Sequence, residues 1–187
     1  MSQMTKRALA ASLKKLLAHK PLDKITVVDV TTDCGVNRQT FYYHFQDIYD
    51  LIEWIYTSEA EQALGDKRGA ASWEEGLLHV CAYALENRAF VIGTYHSVSR
   101  EHLEQHLYQR IFPLIWDVIE ENAKDIAVSE EDKIFIANFY QFAFVGLLLN
   151  WVGGGMRDDP ALLVARLARL VRGNIADALA RFRADTP

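Results

Sequence analysis

Thr26-Val27-Val28-Asp29-Val30-Thr31-Thr32-Asp33-Cys34-Gly35-Val36-Asn37-Arg38-Gln39-Thr40-Phe41-Tyr42-Tyr43-His44-Phe45 is the stretch whose reading decides the fold. Thr26 can cap a helix that begins at Val27, and Gly35 can close it in the left-handed conformation that glycine tolerates. Asn37 can cap a second, short helix. Val27, Val30, Val36, Phe41 and Phe45 can then face inward and clamp the two helices together. Gly35 permits the tight turn between them, and Val36 plugs the corner. Two short helices held at a steep angle by a turn of a few residues form a helix-turn-helix.

The residues outside that small core carry hydrogen-bonding chemistry. Arg38, Gln39, Thr40, Tyr42, Tyr43 and His44 crowd one short helix. Arginine can grip guanine O6 and N7, and glutamine can grip adenine N6 and N7, in a DNA major groove. Threonine and tyrosine hydroxyls suit phosphate oxygens, as do backbone N–H groups at a helix start. In such a motif the first residues of the second helix, Arg38 and Gln39, reach deepest into the groove. The plainer reading is a solvated helix whose aromatic residues pack on a neighbour, and Phe41 and Phe45 suit that role. Chemistry alone leaves both readings open for the rest.

Working outward, almost every segment reads as helix. Leu9, Leu13, Leu16 and Leu17 give a first helix over roughly 4–19, ended by Lys20-Pro21. Asp47, with Asp50 three residues on, caps a fourth helix that runs to about Leu64. The glycine-containing stretch from Gly65 to Ser72 is the clearest boundary, and Ser72 with Glu75 fits a capping box. A break is expected near Gly93 to Ser99, followed by a short helical piece and a longer helix through Leu107 and Ile119. Ser129 opens an apolar helix reaching Trp151, which Gly153-Gly154-Gly155 stops. Asp159-Pro160 starts the last helix, with Leu162, Leu163, Leu167, Leu170, Val171 and Ile175 on one stripe. No strand and no internal repeat is apparent.

Composition bounds the function. Half of the 187 residues are hydrophobic, which implies a globular chain. The longest apolar run, Phe139 to Val152, is interrupted by Gln141, Gly146 and Asn150, short of the roughly 20 apolar residues of a membrane span. No signal-type stretch opens the chain, so a cytoplasmic protein without membrane partners is expected. Cys34 and Cys81 match no metal or redox spacing and read as buried thiols. The net charge is −5, yet residues 1–47 hold seven Lys/Arg against four acids, a net of +3. The other residues hold 13 basic and 21 acidic side chains, a net of −8. A basic head on an acidic body fits a chain in which only the head meets phosphate.

The run T-x-x-D-V-x-x-x-C-G-V-N-R-Q-T-F-Y-Y-H-F-x-D-x-x-D-L, from Thr26 to Leu51, resembles the signature of TetR-type regulators. The resemblance covers roughly residues 5–60. It implies a three-helix DNA-binding head, a connecting fourth helix and an all-helical C-terminal domain that dimerises and senses a ligand. By position it implies that Arg38 and Gln39 read bases, that Thr26, Thr40, Tyr42 and His44 hold phosphates, and that Tyr43 packs against the DNA backbone. Gln46 and Ile48 stand where many members carry lysine, which should weaken phosphate affinity and flatten its salt dependence. Lys24, Lys6 and Arg7 are candidates to compensate. Phe139 to Met156, with Gly146, Trp151 and the glycine run, is similar to a branch that includes dihydroxyacetone-kinase regulators.

Other groupings are weaker. His102 and His106 share a helical spacing that can bind a metal, but no third ligand is evident, so no metal is expected. Tyr83, Phe90, Tyr95, His96, Trp116, Phe139 and Phe142 are candidate lining for an effector pocket, although each also suits a core. Leu147, Trp151, Leu163, Leu167 and Leu170 are candidates for a dimer interface of paired last helices. The glycine run lacks the strand that a phosphate-binding loop needs. No catalytic constellation is recognisable, so neither catalysis nor a cofactor is expected. The expectation is an all-α homodimer: a helix-turn-helix head over 1–47 and a helical regulatory and dimerisation domain over 48–187. It would bind a double-stranded, palindromic operator, most simply as a repressor, under control of a small-molecule effector or a partner protein. The alternatives are an interaction module of the same fold that has lost DNA binding, and a cofactor-independent helical enzyme.

Overall fold

The computed structural model of the protein describes residues 2–64, 73–97 and 100–183. Among these it is all-α: α1 Ser2–Leu17, α2 Val27–Cys34, α3 Arg38–His44, α4 Ile48–Leu64, α5 Trp73–Glu86, α6 Arg88–Ser97, α7 Arg100–Ala123, α8 Glu130–Gly153, α9 Pro160–Val171 and α10 Asn174–Arg181. A short 3-10 turn, Leu22–Lys24, links α1 to α2. Among the described residues the nearest approach to a strand is an isolated bridge between Val128 and Arg183.

The chain packs as two compact units. Residues 1–63 and 83–100 form one, and 64–82 and 101–187 form the other. This division follows packing. It places α4 and α6 with the three-helix head, whereas a division after residue 47 follows chemistry.

In the first unit α1 rests on α2 and α3. Leu9, Leu13, Val30, Phe41, Phe45, Leu51 and Ile55 are buried there. The buried Ser12 hydroxyl donates to the Val30 carbonyl at 3.0 Å, tying α1 to α2. The break expected between Gly93 and Ser99 falls at its far end: Gly93 itself lies inside α6, which ends at Ser97. A Cβ on Gly93 would stand 3.1 Å from Leu17 Cδ2, so the glycine serves the close approach of α6 to α1. A further interruption, not expected from the sequence, falls at Asn87, whose side-chain amide donates to the Tyr83 carbonyl at 2.9 Å.

The second unit is built around Ile115, Ile119, Ile136, Ala137, Tyr140, Val171 and Leu179. The expected short piece before Leu107 is absorbed into one helix, α7, with Pro113 inside it. Helix α8 corrects another expectation. By length and composition it is long and apolar enough to cross a membrane, because the helical stretch is longer than the apolar run on which that expectation rested. Its Ile136, Ala137, Tyr140, Val145, Leu148 and Leu149 are buried, while Phe135, Phe139, Phe142 and Leu147 are exposed. The expected last helix is two: Gly173, at φ +79°, ends α9 and opens α10. The proposed boundary from Gly65 to Ser72, and with it the Ser72 cap, lies outside the described residues.

Candidate nucleic-acid interface

The helix-turn-helix forms where the local chemistry requires it. The Thr26 hydroxyl accepts from the Asp29 N–H, while the Asp29 carboxylate accepts from the Thr26 N–H, a reciprocal capping box. Gly35 sits at φ +73°, in the left-handed region, and its N–H reaches back to the end of α2. Asn37 Oδ1 accepts from the Thr40 N–H at 2.8 Å and so caps α3. Asp47 Oδ1 accepts from the Asp50 N–H at 2.9 Å, and Asp50 accepts from the Gln46 N–H, which fixes the start of α4.

This framework sorts the residues of α3. Phe41 and Phe45 turn inward with Val30, and Val27 and Val36 are half-buried at the corner. Arg38, Gln39, Tyr42 and Tyr43 turn outward, Tyr43 being 82% exposed. His44 is half-buried, its ring edge-on to that of Tyr43 with centroids 4.9 Å apart. The Arg38 guanidinium lies over the Tyr42 ring, 5.9 Å from its centroid, and donates to the Tyr42 hydroxyl at 3.4 Å. The arginine is thus held across one turn of helix.

The two threonines are already engaged. The Thr26 hydroxyl donates to Asp29 at 2.7 Å, and the Thr40 hydroxyl donates to Asn37 at 2.9 Å. Each must exchange its partner before donating to a phosphate. Sequence reasoning missed how the lysines are spent, because the partners of Lys14, Lys15 and Lys20 are remote. Lys15 faces Asp33 at 2.5 Å and Lys20 faces Asp29 at 3.0 Å, while Lys24 faces Asp23 at 3.5 Å. Asp33 is held below the usual carboxylate range by its bonds to Lys15 and Ser12. Lys14 meets Glu59 in a short ion pair and donates to Asn87 Oδ1 at 2.9 Å. Its ammonium also lies 5.2 Å from the Tyr83 ring centroid.

The proposed effector-pocket residues fall in both units. Tyr83, Phe90, Tyr95 and His96 belong to the first unit, and Trp116, Phe139 and Phe142 to the second. Phe90 is buried beside Tyr56, and His96 is exposed against Tyr95. Burial pushes the Tyr56 phenol up to about 12, and its hydroxyl pairs with that of buried Thr94. Trp116 stacks on Phe112. Phe142 is exposed and meets Tyr108, while Phe139, 63% exposed, lines a groove of about 280 Å³ with Phe135, Tyr140, Asp177, Arg181 and Phe182.

The proposed interface residues also divide. Trp151 and Leu167 are buried within the chain's own core, and Trp151 Nε1 donates to the Asp158 carbonyl at 2.9 Å. Leu163 is half-buried. Leu147 and Leu170 face outward, as do Phe135, Phe139 and Phe142 on α8. Among the described residues no cluster of three potential metal ligands occurs, and the side chains of His102 and His106 lie outside them.

Two family models match separate stretches of the chain. A model of the bacterial regulatory proteins of the TetR family matches residues 8–55, and a model of a transcriptional regulator C-terminal region matches residues 71–173. A curated relative, the HTH-type dhaKLM operon transcriptional activator DhaS of Lactococcus lactis subsp. lactis (strain IL1403), is 29% identical over 89 residues. That match spans 48% of this chain and 48% of the relative. Among solved structures, the dihydroxyacetone kinase operon activator DhaS superposes with a TM-score of 0.74 at 23% identity, covering 96% of this chain and 98% of the other. A TetR transcriptional regulator from Streptococcus agalactiae 2603V superposes with a TM-score of 0.60 at 21% identity, covering 98% and 96%. Both structures share the fold.

Proposed function

The chain belongs to the TetR family of bacterial regulatory proteins, and from that premise we propose that it is a homodimeric regulator that binds a palindromic DNA operator through α3. One observation carries the reading. Arg38 and Gln39 stand exposed at the start of α3, while Phe41 and Phe45 anchor the same helix from behind. A rigid helix presenting a guanine reader and an adenine reader side by side suits the major groove. Tyr42, Tyr43 and His44 flank them as contacts to the DNA backbone, with Thr26, Thr40 and Lys24 as further phosphate contacts after an exchange of partners. Residues 1–47 are the DNA-binding portion in this reading, and residues 48–187 the regulatory and dimerising portion.

Dimerisation uses the apolar surface of the second unit. Phe135, Phe139, Phe142, Leu147 and Leu170 are exposed large side chains that a second copy would cover. A two-fold dimer places two copies of α3 one helical turn or more apart on DNA, which matches a palindrome. A small effector or a partner protein acting on residues 48–187 changes that spacing and lowers operator affinity. The protein works in the cytoplasm and has no catalytic role. Binding represses where the operator overlaps a promoter. The Lactococcus relative is named an operon activator, so a promoter–reporter fusion with and without this chain reads the sign directly.

The test is selection from a random duplex library at low salt, using the full chain. Enrichment of a palindrome supports the reading, and retention of no sequence sinks it. A second reading, an interaction module that has lost DNA binding, is favoured by the pairing of Lys14, Lys15, Lys20 and Lys24 with carboxylates. The same selection separates the two.

A further inference from the structure

A lysine near the start of the first helix of a DNA-binding head invites assignment to a phosphate. Lys6 is placed otherwise. Its ammonium lies 5.3 Å from the centroid of the Phe45 ring and 5.7 Å from that of Trp54. The two rings are 5.9 Å apart and tilted by 60°. Phe45 is buried, and its N–H caps the end of α3 on the Phe41 carbonyl at 2.9 Å. Trp54 is half-buried on α4. One cation therefore bridges α1, the end of α3 and α4. The negative faces of the rings hold an ammonium, more firmly when it is partly withdrawn from water, and Lys6 is half-buried. To reach a phosphate it would have to leave both rings.

We propose that Lys6 is a positioning residue for operator binding: seated on Phe45 and Trp54, its charge fixes the angle at which α3 is presented, and it holds no phosphate. The proposal rests on the DNA-binding reading above. It separates Lys6 from its neighbour Arg7, which is exposed and remains available to the backbone of DNA.

Three possible roles of Lys6 predict different outcomes. If the aliphatic stem alone matters, Lys6→Met, which keeps a stem of similar length, should bind like the unsubstituted chain. If Lys6 holds a phosphate, Lys6→Met should lower the slope of log K against log salt by about 0.9 per protomer, about 1.8 for a dimer. If the charge positions α3 through the rings, Lys6→Met should weaken operator binding about fivefold at unchanged slope, and Lys6→Arg, which can also stack on aromatic faces, should restore it.

The experiment is fluorescence anisotropy of the full chain and both variants on the selected operator duplex across a salt series. It is paired with NMR of the DNA-free protein. The ε-methylene protons of Lys6 should be shifted upfield by the two rings relative to those of exposed Lys124. A reduced slope, unimpaired binding by Lys6→Met, failure of Lys6→Arg to restore binding, or an unshifted Lys6 signal would each overturn the proposal. If the unsubstituted chain retains no operator, the DNA reading fails and takes the positioning role with it. The ring shift would still report whether the seat exists, so the two failures remain distinct.

Discussion

Thr26 and Asp29 satisfy each other at the start of α2: Asp29 Oδ2 accepts from the Thr26 N–H and from the Thr26 hydroxyl, both at 2.7 Å, and the Thr26 oxygen accepts from the Asp29 N–H at 3.2 Å. The hydrogen bonds from Thr26, together with Lys20, hold the Asp29 carboxyl at about 2, below its ordinary 3.8. A carboxyl lowered by folding stabilises the protein above its unfolded value, and that contribution is lost as pH falls through the folded value. The window is therefore from 3.8 down to about 2. Asp29→Asn should remove the acid dependence arising there, as read by circular dichroism over an acid titration. Thr26→Ala should lower the melting midpoint by about 2–4 °C at neutral pH.

Arg38→Ala and Gln39→Ala should each cost about 1–3 kcal/mol in operator binding and relax the preference at one base pair of each half-site. Because neither is assigned to phosphate, the salt slope should stay close to that of the unsubstituted chain. Binding to scrambled duplex should hardly change. Anisotropy with a set of singly substituted operators measures both quantities. A uniform loss over all sequences would move these residues to the phosphate class.

Lys14 gathers three hydrogen-bonding partners, Glu59, Tyr83 and Asn87, and none of the three is near it in sequence. Tyr83 is raised well above the ordinary phenol value by burial and by Glu59, so it stays neutral beside the pair. Lys14→Met strands the Glu59 carboxylate in a half-buried site. The expected cost is about 1–3 kcal/mol, less than for a fully buried pair because water still reaches both groups. Lys14→Met with Glu59→Gln should recover most of it. Urea denaturation of the two variants decides the matter.

Phe139→Glu should leave the protomer folded, because Phe139 is exposed and the cost falls on association. Sedimentation should show a shift from dimer toward monomer. Operator affinity should fall by more than tenfold, since one head alone lacks the second half-site. A dimer that survives the change would place the interface elsewhere on the second unit.

The helix-turn-helix was legible because its determinants are local. Thr26, Gly35, Asn37 and Asp47 each cap or turn through bonds to residues within four positions, and hydrophobic period supplied the rest. Where the reading fell short, the cause was a distant contact or a backbone turn that period does not register. Gly93 marks a close approach to Leu17 on another helix, and the break lies at the far end of the expected span. The stripe of α9 seemed to continue through Ile175 because period alone does not register the left-handed turn at Gly173. Membership of a pocket or an interface was least legible. Phe139 and Trp151 have similar character in sequence, yet one is exposed and the other buried. The pairing of Lys14 with Glu59, or the seating of Lys6 on Phe45, cannot be read from spacing at all.

The pairing of the head's lysines bears on how the protein would fare among bulk chromosomal DNA. Non-specific attachment draws on unengaged cations, and here Lys14, Lys15, Lys20 and Lys24 already face carboxylates. Random sequence would therefore sequester fewer copies, and a larger share of the population would diffuse free. Occupancy of a single operator depends on the ratio of specific to non-specific affinity divided by the number of competing sites. A head that grips random DNA weakly can keep its operator filled with few molecules per cell, and a modest change in operator affinity then suffices to empty it.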